Sequence, residues 1–497
     1  MRALNDIFKN KSFLFVFMSY ILFSLPIFLS NVYYMDDNAR ALYGYTWSRS
    51  GRIFSTFIMN ALDLRLNNII DCAPLGQILG LAVLACAAVL FTQRVTRQSA
   101  PDWVALSICG VPLAAQPFFL ENLSYKFDAL PMLMAQACAV FACALPLDWS
   151  LRRKTGVCIA LVFSIMAFYQ PSLNTFLGLS LIVFLADCQH DNCARAWRSL
   201  GIKVVSLVVA GVFYKAAIVR YFVHGDFESS HAVAVGLHDV SFMQFKNNAE
   251  EVLGLLNALL FSGAKPIFLA LYAVSTLVTF FCGFQILKKK TKEDIVSGLF
   301  VFMIPFAILF LLSGIMFLLK NPYSVPRTFV SFSTCVIFAN IFFLQPFAQK
   351  FRWVGLLPIV YFFVISFSYG NALKENARFQ TYHIERVAGV LDDAGFEAGD
   401  DLFLYGDEVQ SPIVHNAVIA MPVLGRLMPR QGIHDDDIFG YSLLRGRGIE
   451  GREHTAQEWD NARTCLQPEY RVHLSSNFAV FRVKHTFCVQ ELRPKAE

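Results

Sequence analysis

Charge is scarce in this 497-residue chain: 16% of residues are Asp, Glu, Lys or Arg, 56% are hydrophobic, and the mean hydropathy is +0.49. That balance excludes a soluble globular protein and a disordered one, and leaves an α-helical polytopic membrane protein. No P-loop, no strand-borne G-x-G-x-x-G and no H-E-x-x-H occurs, so the usual nucleotide and zinc-peptidase sites are missing. The net charge is only +5, in short basic clusters between apolar runs, which argues for topology signals and against a nucleic-acid surface. A dominant disulfide framework is also lacking. Seven of the 12 cysteines (Cys86, Cys109, Cys138, Cys143, Cys158, Cys282, Cys335) fall in apolar runs, where cysteine acts as a small hydrophobe. Cys188-x-His190-x-x-Cys193 has metal-like spacing but no second half, and reads as reduced thiols in a basic loop. Neither an internal repeat nor a low-complexity tract is present.

What is present is a series of apolar runs, each long enough to cross a hydrocarbon core of about 30 Å. They lie at 12–30, 74–92, 101–120, 128–147, 156–170, 171–187, 201–222, 266–287, 296–319, 328–347 and 353–370, which predicts about eleven spans. The first follows Arg2, Lys9 and Lys11 and has no small-x-small cleavage site, so it reads as a retained anchor. Between alternate spans stand Arg94 and Arg97; Arg152, Arg153 and Lys154; Arg195, Arg198 and Lys203; Lys288 to Lys290 and Lys292; and Lys350 and Arg352. With eleven spans all of these share one side, and the positive-inside rule makes it cytoplasmic. The N-terminus is then expected inside. Residues 1–370 form the expected membrane domain, and 371–497 a small α/β domain on the outer side. Its signals are a helix near Glu375 to Leu391, a strand at Asp401 to Tyr405, and alternating segments Tyr470 to Leu474 and Phe478 to Val483.

The outward loops hold the residues with chemistry in them. The first, 31–73, begins Tyr33-Tyr34-Met35-Asp36-Asp37-Asn38-Ala39-Arg40 and continues through Trp47, Gly51 and Arg52, so two carboxylates stand beside two guanidiniums where a span has ended. Charges are expensive there without a use. One aspartate can accept a proton from a hydroxyl while the other holds the loop, because adjacent residues do not point the same way on a helix. The bland alternative is a solvated loop whose acids pair with the arginines. Ile53, Phe54, Phe57, Ile58 and Leu62 fall at helical spacing, as in a helix lying in the membrane interface. Glu121, Asn122, Ser124, Tyr125, Lys126 and Asp128 crowd a second loop and are candidates for sugar or acceptor positioning, or for an ordinary interfacial cap. Gln170-Pro171 marks the tip of a helical hairpin, and Gln170 is a further candidate for sugar or acceptor positioning. Arg327, after two prolines, is a candidate for bidentate phosphate binding, with Lys126, Arg52 and Arg40 in support; snorkelling to lipid headgroups is its alternative. Lys215 and Arg220 near the outer end of a span admit the same two readings. Cys465 and Cys488, in the outer domain, are candidates for a disulfide.

Taken as an ordered set, the Tyr-Tyr-Met-Asp-Asp…Arg…Trp…Gly-Arg loop, Glu121 to Asp128, Gln170-Pro171 and the Arg327 loop resemble the bacterial type II glucosyltransferases, which include prophage-encoded O-antigen serotype-converting enzymes. The resemblance covers the membrane portion and extends weakly into the C-terminal domain. It implies a GT-C-like fold in the bacterial inner membrane, with the C-terminal domain periplasmic. It also implies a polyprenyl-phosphate-glucose donor, a lipid-linked O-antigen acceptor, and catalysis by the acidic pair Asp36 and Asp37. A synthase that loads glucose onto polyprenyl phosphate and a flippase are the implied functional partners. No cofactor is required by this chemistry; a divalent ion bridging the aspartates and the phosphate is the alternative to charge balance by basic residues. The competing classes are an O-antigen polymerase and a lipid-linked glycan flippase or transporter, the latter disfavoured by the missing repeats.

Overall fold

The computed structural model describes residues 11–66, 68–190, 193–223, 242–260, 264–289, 291–314, 325–435, 438–452 and 454–492. Helix α1 (Lys11–Ser30) is followed by two short helices of the first loop, α2 (Asp37–Tyr43) and α3 (Ile53–Leu62), and then by α4 (Leu75–Thr96). Next come α5 (Trp103–Cys109), α6 (Phe119–Ser124), α7 (Ala129–Cys143), α8 (Leu151–Phe168), α9 (Ser172–Gln189) and α10 (Cys193–Tyr214). After α11 (Phe242–Leu259) the chain forms α12 (Ala264–Leu287), α13 (Lys292–Phe310), α14 (Phe332–Asn340) and the long α15 (Leu357–Asp393).

Seven helical stretches among the described residues are long and apolar enough to cross a membrane: α1, α4, α9, Cys193–Phe222, α12, α13 and Pro346–Asp393. The other expected spans take different forms. The run at 101–120 breaks after α5 into a 3₁₀ turn, Val111–Leu113, and resumes as α6; Gly110, Pro112 and Pro117 explain the break, since proline lacks the donor a helix interior needs. The runs at 128–147 and 328–347 yield shorter apolar helices, and the run at 156–170 sits in α8, whose first turn carries Arg152, Arg153 and Lys154. The exposed Leu14, Phe57, Val208, Phe281, Leu299 and Val360 give the bundle the apolar outer surface that lipid contact requires.

The last span does not stop at 370. Helix α15 runs unbroken from Leu357 to Asp393 and carries the bundle directly into the C-terminal domain. There a four-stranded sheet is built from β1 (Asp401–Tyr405), β2 (Arg471–Leu474), β3 (Phe478–Val483) and β4 (Thr486–Glu491), in the order β1-β4-β3-β2. β1 runs parallel to β4, and the other pairs are antiparallel. Ile384, Val387 and Leu391 of α15 pack on one face of this sheet with Leu402, Leu404, Phe478 and Val489. Cys465 and Cys488 both lie in the cluster on the opposite face, where Cys488 Sγ donates to the Ala462 carbonyl at 3.7 Å.

Candidate functional site

The first loop is shaped by two residues that leave α1 in left-handed backbone conformations, Asn31 (φ 50°) and Met35 (φ 48°). A left-handed methionine costs about 1–2 kcal/mol. Contacts from the distant C-terminal domain offset that cost: Gln431 Oε1 accepts the Met35 N–H at 3.0 Å, and Tyr34 donates its hydroxyl to the Leu427 carbonyl at 2.8 Å. The kink at Met35 presents the next two residues in opposite directions.

Asp37 points inward. It is fully buried, and its carboxylate accepts the backbone N–H groups of Lys126 (2.8 Å), Tyr34 (3.1 Å) and Phe127 (3.3 Å), so it ties the first loop to the loop before α7. Burial pushes its pKa up to about 8 against the opposing pull of those donors. Asp36 points outward. It is half-buried, and among the described residues its carboxylate has no hydrogen-bond or ion-pair partner. It lines a cavity of about 860 Å³ together with Arg40, Arg49, Arg52, Arg327, Asp128, Tyr125 and the ring-bearing stretch Tyr43 to Trp47.

The floor of this cavity is an ion-pair hub on Asp128, at the start of α7. Its carboxylate accepts the Trp47 indole N–H at 2.6 Å, pairs with Arg40 Nε at 3.1 Å and approaches Arg52 Nη1 at 3.5 Å. The Arg40 guanidinium also lies over the rings of Tyr45 (4.7 Å) and Trp47 (4.2 Å). Arg40 and Asp128 therefore hold the wall. Arg52, over Tyr169 at 5.2 Å, keeps more of its side chain in the cavity, 28% exposed against 8% for Arg40.

Arg327 enters the cavity on a short 3₁₀ turn, Pro326–Thr328. Its backbone N–H is accepted by Glu121 Oε2 at 2.8 Å, and its carbonyl accepts Tyr169 Oη at 2.8 Å and Asn122 Nδ2 at 3.2 Å. Glu121 Oε1 also lies 3.8 Å from the guanidinium, which stands over the Tyr125 ring at 5.0 Å. Glu121 and Asn122 lie behind Arg327 and brace it, and neither lines the cavity. Gln170 donates to Tyr214 Oη at 2.9 Å, which in turn bonds the Gly51 carbonyl, so it supports the Arg52 loop. A π-turn over Lys215–Val219 follows Tyr214 directly and places Lys215 in that irregular segment. The Lys126 ammonium is taken up by Asp71 at 3.0 Å and by the Tyr33 ring at 4.3 Å, away from the cavity lining.

The structure thus brings Asp36, Arg40, Arg52, Tyr125, Asp128 and Arg327 to one cavity, and leaves Asp37, Glu121, Asn122, Lys126 and Gln170 around it. Arg49, Tyr43 and Tyr45 line it without having been singled out from the sequence; the spacing Arg49-x-x-Arg52 was the available signal. Of the loop that leads into Arg327, residues 320–324 lie outside the described residues, as does 224–241 of the long loop before α11.

A family model described as Glucosyl transferase GtrII matches residues 25–344, which span every cavity-lining residue. The chain belongs to this glucosyl transferase family. This family member is also 26% identical over 456 residues to an uncharacterized 55.3 kDa protein from the gtrB 5′ region of Salmonella phage P22, covering 90% of this chain and 92% of the phage protein. In the glucosyl transferase the matched region ends at the last residue of the 3₁₀ turn that follows α14, so α15 and the C-terminal sheet lie beyond it.

Proposed function

We propose that this membrane protein transfers glucose from polyprenyl-phosphate-glucose to a lipid-linked O-antigen repeat unit on the periplasmic side of the bacterial inner membrane. The observation that carries the reading is the pairing of one carboxylate without a partner among the described residues, Asp36, with a cavity lined by four guanidiniums. A lipid phosphate leaving group demands cations, and an acceptor hydroxyl demands a base. A donor already joined to a lipid phosphate needs no nucleotide pocket.

In this mechanism Asp36 takes the proton of the acceptor hydroxyl as its oxygen attacks the anomeric carbon. The bond from that carbon to the phosphate oxygen breaks in the same displacement, with inversion, and the phosphate leaves with the electron pair. Arg327 and Arg52 stabilise the charge that grows on it. Tyr43 and Tyr45, 46% and 42% exposed, offer ring surface to the sugars beside the guanidiniums of Arg445 and Arg40 that lie over them. In this reading the guanidiniums of the cavity carry the charge balance in place of a divalent ion bridging the aspartates and the phosphate.

The C-terminal domain contributes Arg445, which hydrogen-bonds the Tyr43 hydroxyl at the cavity rim, and this contact supports a role for that domain in holding the acceptor glycan. A synthase that forms the glucosyl lipid on the cytoplasmic side and a flippase that turns it over are the functional partners this reaction requires. The test is reconstitution: purified protein in lipid vesicles with radiolabelled polyprenyl-phosphate-glucose and a lipid-linked O-antigen repeat. Label passing to the acceptor supports the proposal. Label passing to water alone, or an unchanged donor, contradicts it.

A further inference from the structure

A second cavity lies at the other end of the helices that build the first. Helix α4 begins shortly after Asp71, beside the Asp36 loop, and spans 22 residues, about 33 Å; Arg94 in its last turn lines this second cavity. Helix α7 does the same: Asp128 caps its start in the first cavity, and Ala142 and Cys143 at its end line the second. The two linings share no residue.

This cavity is small, about 130 Å³, and basic: Arg94, Lys154, Arg195, Arg198 and Lys203 line it. The acid nearest to hand is already used. Asp187, fully buried on α9, is gripped by Arg94 through two bonds of 3.0 and 2.6 Å and by Arg97 at 2.6 Å. Lys203 is the decisive side chain. It is 6% exposed, and its ammonium nitrogen is buried without a hydrogen-bond partner among the described residues. A buried, unpaired ammonium facing a cavity that other cations also line is an arrangement that costs free energy until an anion enters.

We propose that this cavity binds a phosphate group, with Lys203 at its base and Arg198, an exposed residue one helical turn and a half earlier on α10, at its mouth. The volume admits a phosphoryl group and little else. Its position at the ends of the membrane-crossing α4 and α10, with an opening at Arg198, fits the phosphate of an anionic lipid headgroup in that leaflet, and a soluble phosphate would satisfy the same chemistry. The occupied site would hold α4, α8 and α10 together on the membrane face opposite the Asp36 cavity.

The test uses the full-length protein, delipidated in a zwitterionic detergent, with thermal unfolding and native mass spectrometry as readouts. Phosphatidylglycerol, phosphatidylcholine and inorganic phosphate are added separately. The expected result is a rise in unfolding temperature and a retained adduct with phosphatidylglycerol, neither with phosphatidylcholine, and at least tenfold weaker phosphatidylglycerol binding in Lys203→Met. Arg198→Gln, an exposed change that leaves folding intact, should weaken it severalfold and carries the test if Lys203→Met does not fold. A shift with inorganic phosphate that is lost in the same variants, without one from phosphatidylglycerol, assigns the site to a soluble phosphate. Equal binding by wild type and both variants, or no response to any phosphate compound, overturns the proposal.

Discussion

Glu121 accepts the backbone N–H of Arg327 at 2.8 Å and holds its second oxygen 3.8 Å from the guanidinium of the same residue. One carboxylate thus fixes both the turn that carries the arginine and the direction of its side chain. Glu121→Gln keeps an acceptor for the backbone but loses the ion pair, and should lower kcat/KM about tenfold, a loss of about 1.4 kcal/mol, mainly by raising KM for the donor. Glu121→Ala should lower it further, and steady-state kinetics with varied donor separates the two.

Arg327 itself should be replaceable by neither alanine nor lysine. Its place over Tyr125, in the cavity that Arg52 also lines, suits a planar fork that meets two phosphate oxygens, and an ammonium cannot do so. Arg327→Lys should lower kcat by about 10²–10³-fold, the usual cost of losing one preorganised donor, with unfolding temperature unchanged.

The hub on Asp128 predicts a loss of stability before a loss of chemistry. Asp128→Asn removes the one anion shared by Arg40 and Arg52 and leaves the nearly buried Arg40 uncompensated. Breaking such a pair from one side costs about 3–5 kcal/mol. The variant should unfold at markedly lower temperature in detergent, whereas Asp36→Asn should unfold with wild type.

Asp37 predicts a pH dependence of the fold. Its folded pKa, about 8, lies above that of an unfolded aspartate, so the folded state holds a proton that the unfolded state has already released across the interval between them. The associated stability is complete below about pH 4, the unfolded value, and is lost as pH rises toward 8. Thermal unfolding of wild type between pH 5 and 8.5 should show this decline, and Asp37→Asn, which cannot ionise, should flatten it.

Charge balance by Arg327, Arg52, Arg49 and Arg40 predicts activity that survives chelation. Transfer measured with and without excess EDTA should agree within experimental error. A loss restored by magnesium or manganese would bring back the bridging cation.

The apolar runs were legible because a membrane imposes a length on them, and the aspartate loop because charge is so rare beside a span. The division of labour between Asp36 and Asp37 was legible only in outline. It depends on Met35 taking a left-handed turn, which is held by Gln431 and Leu427 nearly 400 residues away, and no local pattern encodes that contact. The run at 101–120 is broken for a reason printed in it, since Gly110, Pro112 and Pro117 interrupt what hydropathy alone treats as continuous. Lys126 is basic and central to its loop, which suggests a phosphate ligand, whereas the structure pairs its ammonium with Asp71 of the preceding outward loop, a contact between loops that no local pattern encodes. Strand β4 escaped notice because Thr486 to Glu491 has no clean alternation, both faces of the strand being covered by the two C-terminal clusters.

The division between the two aspartates is the central claim, and mass spectrometry of the lipopolysaccharide repeat unit tests it most directly. Cells carrying wild type, Asp36→Asn or Asp37→Asn are compared at equal protein level, checked by blot. The account predicts one added hexose per repeat with wild type and with Asp37→Asn, and none with Asp36→Asn. An added hexose in the Asp36→Asn cells would contradict it, because a partnerless carboxylate in an arginine-lined cavity would then not be the base.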